Sequence, residues 1–396
     1  MPSAGRPFRG GSEVEKKYPY FNDEHEMLRQ SVREFCEKEI APHAEEWEEN
    51  EAYDAEAFRK MGELGFLGLR APEEYGGGGS DYWAIVLLFE ELIRSGCSGF
   101  MTAVGVHMEV AMPAIMHHAT EEQKQKYLVS AVKGESLGAL AVTEPEAGSD
   151  VAAMLCSAVV DGDSYIINGN KIFITNGARA DWIIVAAKTD RDAGYSGITE
   201  FIVDTDTPGF EVSRKLDKCG LRSSDTAELF FTDMKVPKTQ VLGEVGQGFF
   251  QIMSNFQPER LLIAVGAYSA AEMILQMAIE YAKERKQFGK AISRHQHNAF
   301  KIAEMATKIE ASKELTYRCC DMYNRGLDCL KEVSMAKWFA TEVSNEVAYG
   351  SMQLMGGYGY MKEYPMERAW RDARIQTIVG GTTEIQKLII TRTLGL

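Results

Sequence analysis

Apolar positions recur at helical spacing from about residue 22 to 135, and Leu28, Val32 and Phe35 mark one face of the first helix. Asp23 with Glu26 three places on resembles a capping arrangement at its start. The run Gly76 to Gly79 interrupts this pattern without GxxxxGK[ST] or GxGxxG spacing, so a flexible helix–helix connection is expected there and not a phosphate loop. Between about 136 and 245 the period shortens. SYIINGNKIFIT reads as two β-branched runs joined by a hairpin at Asn168-Gly169, since both residues tolerate positive φ. WIIVAAKTD, GITEFIVDT and TAELFFTDMKV add strand-like runs, punctuated by Pro208, Gly209 and Pro237. Beyond about 246 long helical runs return, with Pro258 and Pro365 as the only prolines; Pro258 is expected to kink a helix or begin one.

This order predicts an α+β chain. Residues 1–20 form a flexible leader, 21–135 an N-terminal helical domain, 136–245 a middle antiparallel β domain, and 246–396 a C-terminal four-helix-bundle domain.

Bulk properties narrow the function. A formal charge of −15 over 396 residues disfavours binding to nucleic acid, which requires cations against phosphates. No apolar run of about 18 residues is evident, so stable membrane insertion is not expected. The N-terminus lacks the apolar core of a secretory signal, and its two arginines leave a remnant transit segment as the second reading. Seven cysteines without a CxxC pair suit a reducing compartment, the cytoplasm or, in a eukaryote, the mitochondrial matrix. His117 and His118 lack HExxH spacing, and no metal site is expected.

Several short stretches carry candidate chemistry. In AVTEPEAGSD (141–150) Thr143 and Ser149 offer hydroxyls, while Ala147 and Gly148 permit close backbone approach to a flat ligand; alone, the stretch also reads as a turn after a strand. In IFITNGA, Phe173 and Thr175 alternate with Ile172 and Ile174, placing a ring and a hydroxyl on one strand face, where a core Phe is the plainer reading. KERKQFGK reads as a basic helix end favoured by the dipole. Glu259 precedes Arg260 at the entrance to an apolar helical run, where an ordinary acidic residue near a helix N-terminus is the simpler reading of it in isolation.

Taken together, AVTEPEAGSD, IFITNGA, ERKQFGK, QLMGGYGY and GGTTEIQ resemble the acyl-CoA dehydrogenase family, in its order, over nearly the whole chain from about residue 20. The resemblance implies FAD-dependent α,β-dehydrogenation of an acyl-CoA thioester, with electrons passed to an electron-transfer flavoprotein. It implies FAD contacts from Leu140, Ala141, Val142, Thr143, Gly148, Ser149, Phe173, Ile174 and Thr175, and from Arg285, Phe288, Gln296, Gln353, Gly356, Gly357, Thr382 and Glu384. Arg285 would reach the FAD pyrophosphate of a neighbouring subunit, which implies a homo-oligomer, by resemblance a homotetramer. Substrate contacts fall on Ser149, Phe250, Gln257, Arg260, Gly380 and Gly381.

Gly380 stands where many relatives carry the carboxylate that removes the α-proton. The chain resembles the long-chain and isovaleryl-CoA types, which pair a small residue there with Glu at the position of Glu259. Glu259 is therefore the expected base, with Gly380 supplying only a backbone N–H to the thioester oxygen. By the same resemblance FMTAVGVHMEVAMPAI floors the acyl pocket, and small Gly105 and Val106 either deepen it or serve packing. A medium- or long-chain straight acyl group is expected first, a branched or cyclic one second. A flavin oxidase or monooxygenase on the same fold is the alternative activity.

Overall fold

The computed structural model describes residues 18–396. The expected leader therefore lies mostly outside the described residues, and its last part is packed: Tyr20 stacks on Trp83 with ring centroids 4.6 Å apart, and Tyr18 meets the edge of Tyr317 at 5.0 Å. The first helix runs Asp23–Phe35. Its cap is Asn22, which accepts the His25 N–H while the His25 ring accepts the Asn22 N–H. The capping box therefore begins one residue before the expected Asp23–Glu26 pair, because Asn22 has the extended backbone that a cap requires.

The N-terminal helices bury one large core around helix Tyr82–Arg94, whose residues Tyr82 through Ile93 are all shielded. The glycine run before it is tied down and not flexible. Gly77, Gly78 and Gly79 each donate a backbone N–H to a carbonyl of the preceding segment, and a Cβ on Gly77 would collide with Ala71 O. With those donors consumed, the run has no free N–H groups to offer phosphate.

The middle region is one eight-stranded sheet: β1 (Gly138–Ala141), β2 (Ser157–Asp161), β3 (Ser164–Thr175), β4 (Trp182–Lys188), β5 (Ile198–Asp204), β6 (Phe210–Lys215), β7 (Thr226–Pro237) and β8 (Val241–Leu242). The spatial order is β6-β7-β3-β2-β4-β5-β8, with β1 beside β4. It departs from the sequence reading in two ways. The expected hairpin at Asn168-Gly169 is absent, because β3 runs straight through it. The turn lies at Gly162-Asp163, where Gly162 takes φ +56° and Asp161 pairs with Ser164. Gly169 serves close approach instead, since a Cβ there would lie 2.7 Å from Cys156 Cα. The sheet is also mixed: β1 and β2 run parallel to β4, because the β2–β3 hairpin is an excursion after which the chain re-enters beside β1 in the same direction.

The C-terminal region packs helices Gly248–Glu284, Gln296–Asn324, Leu330–Met355 and Thr383–Thr393, with Pro365–Arg374 alongside. Pro258 neither begins nor ends the first of these; it lies inside a 37-residue helix. The segments Ser98–His118 and Gly248–Glu284 are long and apolar enough to cross a bilayer, a point the sequence reading missed, yet 78% and 72% of their most apolar windows are buried within this protein. Their apolarity serves its own interior. All seven cysteines are free, and six of them are buried.

Candidate active site

The Gly248–Glu284 helix carries Glu259 and Arg260 directly after its proline, Pro258. Tyr82 Oη donates to the Pro258 carbonyl at 3.1 Å, fixing this stretch against the N-terminal core. Part of the Glu259 side chain borders open space, but its Oε2 is shut from solvent and bonds to nothing. Burial pushes this carboxyl up to about 7, against the pull of Arg260 and Lys337.

Gly380 faces Glu259. Its φ of +63°, followed by +88° at Gly381, forms a turn that only glycines adopt without strain. A Cβ built on Gly380 would lie 3.5 Å from Glu259 Oε1 and 2.4 Å from Ile263 Cδ1. A side chain at 380 would thus abut the Glu259 carboxyl and displace the Ile263 side chain. Arg260 Nε donates to the Gly380 carbonyl at 3.1 Å. Neither the Gly380 nor the Gly381 N–H finds a protein acceptor among the described residues, so both remain available to a ligand. Glu384, the rival carboxylate, lies exposed in the first turn of helix Thr383–Thr393, where its own backbone N–H and Thr382 hold it below the usual range. Phe250 is half exposed and meets Phe249 edge-on; Gln257 is partly buried a few turns along the same helix.

The β domain gathers a second group. Leu140 and Ala141 lie on β1, Val142 and Thr143 follow it, and Gly148 and Ser149 are exposed on the succeeding turn. Thr143 O accepts the Ile172 N–H at 2.9 Å, drawing the turn against β3 next to Phe173. The expected alternation of Phe173 with Ile172 and Ile174 fails because β3 bulges against β7 between Lys171 and Ile174. Phe173 takes φ +61° and its ring is 65% exposed, whereas Ile174 is buried and Thr175 half-buried. The bulge presents an aromatic face that a regular strand would have turned elsewhere.

A buried ion pair, absent from the sequence reading, supports this turn. Lys171 Nζ lies 2.8 Å from Glu144 Oε1 and also donates to Val142 O at 2.9 Å. Glu144 in turn accepts the N–H groups of Leu155 and Cys156. Every charge in the pair is bonded, which is what permits its burial. A lone lysine within an apolar strand run was the signal that could have revealed it.

The third group is elsewhere. Arg285, at the end of the long helix, opens onto a cleft of about 410 Å³ lined also by Tyr281, Gln287, Gly356, Gly357 and Tyr358. The Arg285 guanidinium sits 5.7 Å from the Tyr358 ring centroid. Phe288, on the short hairpin Lys286–Ala291, is 94% exposed, and Gln296 and Gln353 are also on the surface. The cleft includes none of Thr143, Ser149, Phe173, Thr175 or Glu259. The chain thus divides the expected cofactor residues between two places.

Gly105 is a packing glycine. A Cβ there would meet Leu262 Cδ2 at 3.1 Å and Phe89 Cε1 at 3.4 Å, so its smallness admits core neighbours and does not lengthen a cavity. Of the two readings the sequence offered for this residue, these contacts favour packing.

Three family models match in sequence: "Acyl-CoA dehydrogenase, N-terminal domain" over residues 22–135, "Acyl-CoA dehydrogenase, middle domain" over 139–234, and "Acyl-CoA dehydrogenase, C-terminal domain" over 246–395. The chain is 39% identical to the long-chain specific mitochondrial acyl-CoA dehydrogenase of Sus scrofa over 99% of this chain and 94% of that protein. It is 42% identical to the short-chain specific acyl-CoA dehydrogenase of Clostridium acetobutylicum over 93% and 97%. The crystal structure of acyl-CoA dehydrogenase from Geobacillus kaustophilus superposes with a TM-score of 0.94 at 46% identity, covering 96% of this chain and all of that one.

Proposed function

The chain belongs to the acyl-CoA dehydrogenase family, and we propose that Glu259 is the base that removes the α-proton of its acyl-CoA substrate. The enzyme is a flavoprotein oxidoreductase acting on CH–CH bonds, with FAD as cofactor. The observation that carries the proposal is the proximity at Gly380: a Cβ there would come within van der Waals contact of the Glu259 carboxyl, so an acid from either position reaches the same region.

The residues fit the flavin. Phe173 offers a ring face, Thr143, Ser149 and Thr175 hydroxyls, and Arg285 with Gly356 and Gly357 an open cationic cleft suited to a pyrophosphate. When bound, FAD supplies the acceptor for the β-hydride. Glu259, with Oε2 unbonded, is free to take the α-proton. The free N–H of Gly380 donates to the thioester oxygen as negative charge develops there. Arg260 holds the turn through the Gly380 carbonyl. Because the ring-side residues and the Arg285 cleft are separate on one chain, each cofactor is completed by a second copy in a homotetramer.

The substrate is a medium- or long-chain saturated acyl-CoA, a reading supported by the similarity to the long-chain specific enzyme of Sus scrofa more than by the pairing of Glu259 with Gly380. That pairing is equally compatible with a branched acyl group, the second reading. Electrons pass to an electron-transfer flavoprotein, and the enzyme works in the cytoplasm or matrix. Anaerobic titration of the yellow protein with butyryl-, octanoyl-, palmitoyl- and isovaleryl-CoA tests this: rapid bleaching is expected with octanoyl- and palmitoyl-CoA. Bleaching by isovaleryl-CoA alone would favour the second reading, and no bleaching by any thioester would refute dehydrogenation.

A further inference from the structure

The Gly380–Gly381 turn has no side chains of its own to hold it, and two consecutive glycines at positive φ are intrinsically mobile. Three side chains from three helices hold it instead. Gly380 O accepts Arg260 Nε at 3.1 Å and Gln386 Nε2 at 3.2 Å; Gly381 O accepts Gln386 Nε2 and Lys337 Nζ, each at 2.9 Å. Each carbonyl thus takes two donors. In a trans peptide the C=O and N–H point in opposite directions, so anchoring the Gly380 carbonyl fixes the plane on the far side of Gly380. Only the φ and ψ of Gly380 then separate that plane from the residue's own unbonded N–H.

Among these donors Lys337 is the costly choice. It is fully buried on helix Leu330–Met355, and no carboxylate among the described residues lies within ion-pair distance of it. A buried ammonium with one hydrogen bond is an expensive way to tie down a carbonyl if tying were its only task. The charged groups that act on it are Arg260 and Glu259 from the facing helix, Glu342 one turn along its own, and Glu384 from Thr383–Thr393. Glu342 is engaged by Thr383 Oγ1 at 3.1 Å.

We infer that Lys337 is a positioning residue for proton abstraction: it anchors the Gly381 carbonyl so that the Gly380 N–H keeps its aim, and its ammonium form places a positive charge beside Glu259. This inference rests on the assignment of Glu259 as base. Its charge favours the ionised base, since Lys337 and Arg260 both oppose the upward push of burial on Glu259. Two variants separate the roles: Lys337→Met removes donor and charge, and Lys337→Gln keeps an N–H donor without the charge.

The experiment compares holoenzymes by FAD content, thermal melting, KM, kcat and the pH profile of kcat/KM. Lys337→Met is expected to keep FAD and KM while kcat falls on the order of ten- to a hundredfold, the scale of a small misplacement of a reacting group. The acid limb should move to higher pH in both variants, and Lys337→Gln should recover more kcat at high pH than Lys337→Met. Parent-like kcat and an unmoved limb in both would overturn the inference. So would loss of FAD or of folding in both, which would make the lysine a purely structural tie. Glu259→Gln run in parallel distinguishes the two failures: if it stays active, the base assignment fails; if it is inactive while the Lys337 variants match the parent, only the role of Lys337 fails.

Discussion

Glu259 and Glu200 are both carboxyls set among apolar neighbours, and burial pushes both acids up, to about 7 and about 8. Both also leave oxygen atoms unbonded: Oε2 in Glu259, Oε1 and Oε2 in Glu200. By those measures Glu200 is the more extreme. It is fully buried on β5, where its backbone neighbours in the sheet are Ala186 and Leu242, and burial is the sole influence on its acidity. What distinguishes Glu259 is company. It faces a glycine turn with two unused N–H groups, and two cations, Arg260 and Lys337, act on it. A displaced acidity identifies a reactive group only where an electrophile's binding place lies beside it; otherwise it records a buried charge held neutral.

The largest effect expected from that difference is on turnover. Glu259→Gln should retain FAD and bind acyl-CoA while flavin reduction slows by at least about 10²–10⁴-fold, the usual worth of a general base. Rapid-mixing absorbance of the oxidised flavin measures it. Glu200→Gln should leave the same rate within about twofold, since Glu200 is not among the residues assigned to substrate or flavin. A Glu259→Gln enzyme reduced at the parent rate would remove the basis of the contrast.

A smaller loss is expected at the facing turn. Gly380→Ala forces an L residue to φ +63°, a strain of roughly 1–2 kcal/mol. Its new Cβ also meets Ile263 Cδ1, the movable end of a side chain, and approaches Glu259 Oε1 within contact distance. About a tenfold fall in kcat/KM is expected with FAD content unchanged, on the view that crowding the base displaces it by a fraction of an ångström. Parent-like kinetics would mean that the turn and the carboxyl are not neighbours during the reaction.

The extent to which these positions were legible in the sequence follows from how local their signals are. The helical, strand and helical order was readable because each pattern repeats over many residues. Glu259 was legible only jointly with Gly380, 121 positions away, and only through resemblance; nothing local separates it from any acid near a proline. Lys337 and Gln386 were invisible, and only Lys171 of the Lys171–Glu144 pair left a local trace, because a buried polar side chain is defined by partners that the fold brings from distant segments. The bulge at Phe173 was missed for a related reason: strict alternation is assumed within a strand, and the extra residue shows only when β3 is registered against β7. The hairpin error at Asn168-Gly169 had a local remedy in Gly162-Asp163, an equally good turn signal six residues earlier.

The pH dependence of the reaction gives a third test of modest size. With Glu259 as the base, catalysis requires it ionised; burial pushes its carboxyl up to about 7, so kcat/KM should rise with pH through the neutral range. Falling from pH 7 to pH 6 should cost about fivefold, and each further unit about tenfold, if one ionisation governs the limb. A limb near pH 4.5, the ordinary glutamate range, would show that a solvated acid does the work. Glu200→Gln should leave this limb in place.

The smallest effect belongs to Glu200 and concerns stability alone. Burial raises its pKa on folding from the ordinary 4.5 to about 8. Below pH 4.5 the carboxyl is protonated in both folded and unfolded chains and costs nothing by titration. Between 4.5 and 8 the unfolded chain releases the proton that the folded one retains, so stability drains away as pH rises, by about 1.4 kcal/mol per unit if no other group compensates. Above 8 the loss is complete and levels off. Glu200→Gln removes this slope. The amide has its own cost, an unbonded NH₂ in the same apolar place, but that cost is independent of pH. The melting temperature of the variant relative to the parent should therefore climb steadily between pH 5 and 8, whatever its sign at pH 5. A difference that stays constant across that range would mean that Glu200 ionises in the folded protein as freely as in the unfolded one, through a partner or water at its oxygens, and the two carboxyls would then differ in solvation as well as in company.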